Sequence, residues 1–244
     1  MNDMTSPRPP VPAAAIAAAA DVRRAPAGPR RALPGVPRTL LIGGSAGSIE
    51  ALGVLLPLLP ADLALACAIV IHLPADQPSL LTEVFAPRLR FDVAEARDKE
   101  ALRPGCLRFA PPGYHLLIER DGCLAFDLDA PVHFSRPSID ALFASGATAL
   151  GADAIGVLLS GANEDGAAGL EAIARAGGLA LVQDPAQSRI ATMPAAGLAR
   201  LARAGLEPAA VLGAAALGHY LAALGAITAT DSTPPEPART GVQR

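Results

Sequence analysis

Short apolar runs with no polar residue on either face set the first constraint on this chain. Leu40-Leu41-Ile42, Ala68-Ile69-Val70-Ile71 and Ala154-Ile155-Gly156-Val157-Leu158-Leu159 lack the polar–apolar alternation of a half-wetted strand. Strands buried on both faces belong to parallel sheets covered by helices on each side. Stretches with helical character separate these runs, as in Ser48-Ile49-Glu50-Ala51-Leu52-Gly53-Val54-Leu55-Leu56, so the pattern predicts a doubly wound, mostly parallel α/β sheet. Each run gives way to a polar residue: Ser45, His72 and Asp165. The carboxyl ends of the strands in such a sheet share one edge, where ligand crevices form. Three positions far apart in sequence can therefore meet there, and a hydroxyl, an imidazole and a carboxylate are the groups of a serine hydrolase.

The surroundings of each residue allow a second explanation. Ser45 lies in Gly43-Gly44-Ser45-Ala46-Gly47, and glycines flanking a serine permit a tight strand-to-helix turn that exposes its hydroxyl. Free N–H groups at the start of the following helix can hold an oxyanion. Glycine-rich turns of this kind also bind phosphate or simply permit close packing, although neither the dinucleotide fingerprint nor the Lys-Ser/Thr pair of a P-loop is present. His72 ends a buried strand, and Pro74 stops that strand from continuing; a histidine there can be structural. Asp165, in Asp165-Gly166 ahead of Ala167-Ala168-Gly169-Leu170-Glu171-Ala172-Ile173-Ala174, is either the carboxylate that orients His72 or the N-cap of that helix.

Chain order discriminates further. Serine precedes histidine and aspartate comes last, whereas the common α/β-hydrolase with this elbow runs serine, acid, histidine. From about Arg38 to about Leu212 the sequence resembles the catalytic domain of the CheB-type chemotaxis methylesterases. The resemblance is carried by the serine turn, Ile71-His72-Leu73-Pro74, the segment from Pro104 to Leu116, Arg136-Pro137-Ser138-Ile139-Asp140, the Ser160 to Gly169 segment, Gln183-Asp184 and Met193-Pro194. It implies a protein-glutamate methylesterase acting on methylated chemoreceptor-like proteins, with possible deamidation of glutamines. Ser45, His72 and Asp165 would be catalytic, and the backbone N–H groups of Ala46 and Ala162 would serve the oxyanion. No cofactor or metal is expected. The family's usual Thr-Gly-Met-Gly before the catalytic Asp-Gly is replaced by Ser160-Gly161-Ala162-Asn163-Glu164. Ala162 can present the same N–H as methionine, but Asn163 stands in place of glycine and would be strained if that position requires positive φ. The altered loop leaves a catalytically weak or silent receptor-binding signalling module as an alternative, and a general small-ester serine hydrolase is another.

Composition narrows the partners. A formal charge of −3 and the absence of an aromatic-plus-basic stripe argue against nucleic acid. No apolar run approaches the roughly 20 residues needed to span a bilayer, which points to a cytoplasmic rather than an integral membrane protein. Cys67, Cys106 and Cys123 are widely spaced in apolar segments and read as buried reduced thiols without metal or redox spacing. His115 reads as structural, while His133 and His219 have no acid at a useful spacing. Ser138 is expected to start a helix over 139–150, and Arg136 is a candidate for a substrate groove.

Residues 1–37, rich in Ala, Pro and Arg, are expected to be a disordered tail. The esterase domain is expected over 38–225, with a second disordered tail over 226–244. The first 37 residues are too few for the receiver domain that commonly precedes such esterases, so control by a separate signalling protein, or none, is expected. His115-Leu116-Leu117-Ile118-Glu119 and Cys123-Leu124-Ala125-Phe126, joined by Arg120-Asp121-Gly122, predict a hairpin. The resemblance implies that it forms an antiparallel edge addition to the sheet.

Overall fold

The structure, a computed structural model, describes residues 39–60, 65–73 and 78–230, with side chains described as far as residue 224. The expected tail over 1–37, Pro74, and residues 231–244 lie outside the described residues. Seven strands form one sheet: β1 (Thr39–Gly44), β2 (Ala66–Ile71), β3 (Asp92–Glu95), β4 (Cys106–Phe109), β7 (Ala154–Leu158), β8 (Leu179–Gln183) and β9 (Ala210–Leu212). Their order is β3-β4-β2-β1-β7-β8-β9, and all neighbours are parallel. The helices are α1 (Ser48–Leu55), α2 (Leu81–Phe85), α3 (Ile139–Leu150), α4 (Ala167–Arg175), α5 (Thr192–Arg203) and α6 (Ala214–Thr230).

Burial on both faces explains the runs. In β1, Leu40 and Ile42 face a core completed by Leu52 and Leu55 of α1 and by Leu217 and Leu221 of α6. Leu41 faces the other side, packing with Ile139, Leu142 and Phe143 of α3 and with Leu170 and Ile173 of α4. Side chains alternate across the sheet, so a strand clad in helices on both sides must be apolar throughout.

The predicted hairpin is present as β5 (His115–Ile118) and β6 (Leu124–Asp127), paired in antiparallel fashion from His115↔Asp127 to Ile118↔Leu124. It does not extend the edge of the large sheet, as the resemblance implied. The two strands form their own ribbon, because Leu116, Ile118 and Leu124 turn inward against α3 and its core. The edge is instead β3, a half-exposed strand beside β4.

The chain reverses its direction of travel across the sheet at β1: β2 lies on one side and β7 on the other. That is the topological switch point, where the carboxyl ends of parallel strands leave a crevice.

Candidate active site

Ser45 follows β1 directly, and its turn is built for a close fit. Gly47 caps α1 in the left-handed conformation, with φ 84°. A Cβ there would lie 2.6 Å from Arg189 Cβ and 2.8 Å from Ser160 Oγ, so both the angle and the space require glycine. Ser160, fully buried, fastens this turn to the end of β7. Its carbonyl accepts from Ser45 N at 2.9 Å, and its hydroxyl donates to Ala46 O at 2.8 Å. Gln183, at the end of β8, holds Ser160 in turn by accepting from its N–H at 2.9 Å. Neither role is visible in the sequence, because each depends on loops from different strands meeting.

Strand register brings His72 to the serine. Gly44 pairs with Ile71, and His72 N donates to Gly44 O at 3.1 Å, so the next residues in each chain, Ser45 and His72, emerge side by side. The His72 side chain is only 10% exposed, and its Nε2 lies 2.7 Å from Oδ2 of Asp165.

Asp165 is fully buried, and its carboxylate is saturated with donors. Oδ1 accepts from Ser138 Oγ at 2.9 Å and Asp140 N at 2.9 Å, while Oδ2 accepts from Ile139 N at 2.7 Å in addition to His72. Burial alone would push its pKa up. The hydrogen bonds from His72, Asp140 N and Ile139 N outweigh burial and hold the carboxyl below its ordinary value, as expected for an anion at a helix N-terminus. The N-cap of α4 is Gly166, with φ 89° and no side-chain cap, so Asp165 does not cap the helix it precedes in sequence. It binds instead the start of α3. A Cβ on Gly166 would sit 2.6 Å from both Ile139 Cγ2 and Leu158 Cδ1, so only glycine lets the loop come this close.

Ser138 is the N-cap of α3, as predicted, accepting from Ala141 N at 3.3 Å while donating to Asp165. His115 is buried and structural: its Nδ1 accepts from Ser138 N at 3.1 Å. Asn163 is not among the residues with positive φ, so the position tolerates a side chain. That side chain braces the loop, with Oδ1 accepting from Asp165 N at 3.2 Å and Nδ2 donating to His133 O at 3.4 Å. Arg136 donates to the carbonyls of Leu128 and Asp129, which makes it a clasp on its own loop. His133, expected to lack an acid, lies 3.6 Å from Asp140 Oδ2 and 3.9 Å from Glu164 Oε1. Burial raises the Asp140 pKa, opposed by a hydrogen bond from Gly169 N.

Two further expectations need amending. Only Cys67 is buried; Cys106 and Cys123 are half-buried, and all three are free thiols. Ser45 Oγ makes no hydrogen bond to His72 among the described residues, and the second ring nitrogen, Nδ1, is hydrogen-bonded to Ser135 Oγ at 3.3 Å. Sequence reasoning passed over Ser135, whose only signal is its place just before Arg136-Pro137-Ser138. Ala46 and Ala162 are both exposed, and neither N–H donates to another group among the described residues.

A serine elbow beside a buried imidazole–carboxylate pair, at the switch point of a parallel α/β sheet, has the form of an acyl-transfer site. Comparison with known proteins narrows this class. The CheB methylesterase family profile matches residues 40–215, and the chain belongs to that family. A Leptospira interrogans protein, provisionally named a protein-glutamate methylesterase/protein-glutamine glutaminase, is 43% identical over 155 residues, covering 64% of this chain and 80% of the relative. Proteins named protein-glutamate methylesterase/protein-glutamine glutaminase from Xanthomonas oryzae pv. oryzae and Anaeromyxobacter dehalogenans are 42% and 40% identical, covering 65% and 80% of this chain. The chain spans 45% and 53% of their respective lengths. The fold matches the crystal structure of the Thermotoga maritima CheB methylesterase catalytic domain, with a TM-score of 0.71 over 78% of this chain and 99% of that one, at 24% identity. Among the described residues no helix is long and apolar enough to cross a membrane, and no group of His, Cys, Asp and Glu could hold a metal ion.

Proposed function

We propose that residues 38–225 form a protein-glutamate methylesterase that hydrolyses γ-glutamyl methyl esters on a methylated chemoreceptor-like protein in the cytoplasm. The observation that carries this reading is the buried His72–Asp165 pair at 2.7 Å, set beside the Ser45 turn in a chain of the CheB methylesterase family. The names borne by its relatives favour this over a silent binding module or a general esterase.

Asp165, anionic and acceptor-only, takes the Nε2 proton of His72 as its hydrogen-bond donor, which leaves the lone pair on Nδ1. Nδ1 is therefore the base. It removes the proton of Ser45 as Oγ attacks the ester carbonyl, and the free N–H groups of Ala46 and Ala162 receive the oxyanion. The Nδ1 proton then passes to the departing methoxide, releasing methanol and leaving an acyl-serine. Water, deprotonated by the same nitrogen, attacks the acyl carbon, and the proton returns to Ser45 as the glutamate carboxylate is released. A glutamine substrate follows the same route with ammonia leaving, so deamidation is a second activity of the same site.

The test is methanol release from a methylated receptor fragment. Ser45→Ala and His72→Ala should each lower the rate by at least about a thousandfold, and the double variant should lose little more. Near-normal turnover by folded Ser45→Ala protein would remove the nucleophile assignment.

A further inference from the structure

His72 has two ring nitrogens, and in the free protein both are occupied. Nε2 faces Asp165, and Nδ1 faces the Ser135 hydroxyl at 3.3 Å. Because Asp165 is an acceptor-only carboxylate, Nε2 carries the proton and Nδ1 the lone pair, so the hydroxyl donates to Nδ1.

The segment that delivers this hydroxyl is strained. Val132 and Ser135 exchange two backbone hydrogen bonds, 3.1 Å and 2.8 Å, around His133 and Phe134. Both central residues have positive φ, 48° and 61°. Two-residue turns of this kind prefer Asn-Gly, since larger side chains rarely adopt such angles. Packing of Phe134 cannot be the cause, because that side chain is fully exposed, at 103%. The turn is held from outside. Asn163 Nδ2 donates to His133 O at 3.4 Å, and the His133 ring lies between Asp140 and Glu164, at 3.6 Å and 3.9 Å. It is thereby fastened both to the first turn of α3 and to the loop that carries Asp165. Strain maintained by neighbouring structure beside a reacting group is characteristic of functional sites.

We propose that Ser135 is a positioning residue for His72: between turnovers its hydroxyl holds Nδ1 as the unprotonated nitrogen aimed into the crevice, and Ser45 replaces it when substrate binds. This rests on the reading of His72 as the base of the esterase. Asp165 contacts the imidazole directly; Asp140, whose N–H donates to Asp165, faces His133, and His133 in turn faces Glu164. The hydroxyl donates to the lone pair of the neutral ring, and with Asp165 on Nε2 it holds the imidazole at both nitrogens. Without it the ring keeps its tautomer through Asp165 but loses the contact that fixes the direction of Nδ1.

The experiment compares Ser135→Ala with Ser135→Thr, which retains the hydroxyl. The nitrogen NMR signal of His72 Nδ1 is measured in the Ser45→Ala background, where no turnover is needed, and kcat/KM is measured with Ser45 intact. Ser135→Ala should move the Nδ1 signal toward that of an unprotonated nitrogen with no hydrogen-bond donor and lower kcat/KM roughly two- to tenfold, the worth of one neutral hydrogen bond, while Ser135→Thr should leave both in place. An unmoved Nδ1 signal in Ser135→Ala overturns the proposal whatever the activity, and equal changes in both variants overturn it as well. A changed Nδ1 signal in a protein that releases no methanol with Ser45 intact would uphold the Ser135–His72 contact and refute the esterase reading instead.

Discussion

Replacing Asp165 by asparagine preserves the shape of the side chain but turns one oxygen into an NH2 group, and four donors now converge on those two oxygens. If the amide nitrogen takes the Oδ1 position, Ser138 can rotate its proton away, but Asp140 N is left facing a donor. If it takes the Oδ2 position, Ile139 N is orphaned and His72 must change tautomer to accept from the amide. In either orientation at least one backbone N–H near this buried group loses its partner, at a cost of about 1–3 kcal/mol. The start of α3 also loses an anion, worth up to about 2 kcal/mol in a partly buried setting. Together these give a destabilisation of about 2–4 kcal/mol, a large share of the roughly 5–15 kcal/mol that holds a domain together. Activity should fall by roughly ten-thousandfold, as when a triad acid becomes an amide, because the flipped tautomer puts a proton on Nδ1.

The pH dependence of that loss follows from the depressed pKa of Asp165. A carboxyl whose folded pKa lies below its unfolded value of about 3.9 contributes stability above that value and loses it as pH falls through the folded pKa. The gap between wild type and Asp165→Asn should therefore be full at neutral pH and narrow progressively below about pH 4, first as the unfolded chain protonates this carboxyl and then, at lower pH, as the folded protein does. Urea unfolding at both pH values, run beside methanol release, measures each part. An Asp165→Asn protein that unfolds within about 0.5 kcal/mol of wild type at neutral pH would refute the claim that α3 starts on this carboxylate, even if its activity were gone.

Two further outcomes are expected. Gly47→Ala puts a side chain at φ 84° with its Cβ 2.6 Å from Arg189 Cβ, so it should cost about 1–3 kcal/mol in urea unfolding and lower kcat/KM, and wild-type values for both would show that the turn relaxes freely. Burial pushes the Cys67 thiol up to about 12, with the nearby Cys106 adding to the effect, so an aromatic disulfide reagent should label Cys106 and Cys123 in the native protein and Cys67 only after denaturation; equal native rates at all three would refute this.

Much of the framework was legible because its signals are local. Apolar runs clad on both sides give β1, β2 and β7, and Ser138 ahead of a 3.6-residue apolar period gives α3 with the bounds expected, Ile139–Leu150. The hairpin strands were legible from their turn, but their separation from the sheet was not, since packing against α3 rather than pairing decides it. The half-exposed edge strand β3 carries too weak a pattern to be read. Asp165 shows the limit most plainly: its position before Gly166 and an apolar helix suggested a cap on α4, yet its partners lie 25 to 27 residues earlier, on α3. Ser135 and the acids around His133 were missed for the same reason. No periodicity announces a contact that exists only once three loops have met.

The start of α3 explains why those loops meet where they do. The switch point brings the ends of β1, β2 and β7 to one edge, but a crevice between strand ends does not by itself orient side chains. Ile139 presses on β1 so closely that a Cβ on Gly43 would lie 2.1 Å from its Cγ2, and the same helix turn gives Asp165 two backbone N–H bonds and the Ser138 hydroxyl. His115, from the hairpin, holds Ser138 N from behind. The carboxylate that orients His72 is thus oriented by a helix which the sheet and the hairpin both hold in place. Mutations at Gly43 or His115 should therefore disturb the imidazole without touching it: His115→Ala leaves Ser138 N without its acceptor, and kcat should fall more than KM changes, because the crevice remains while His72, the proposed base, loses its aim. A His115→Ala protein with wild-type kcat and a raised KM would show instead that the hairpin serves substrate binding and leaves the geometry of His72 alone.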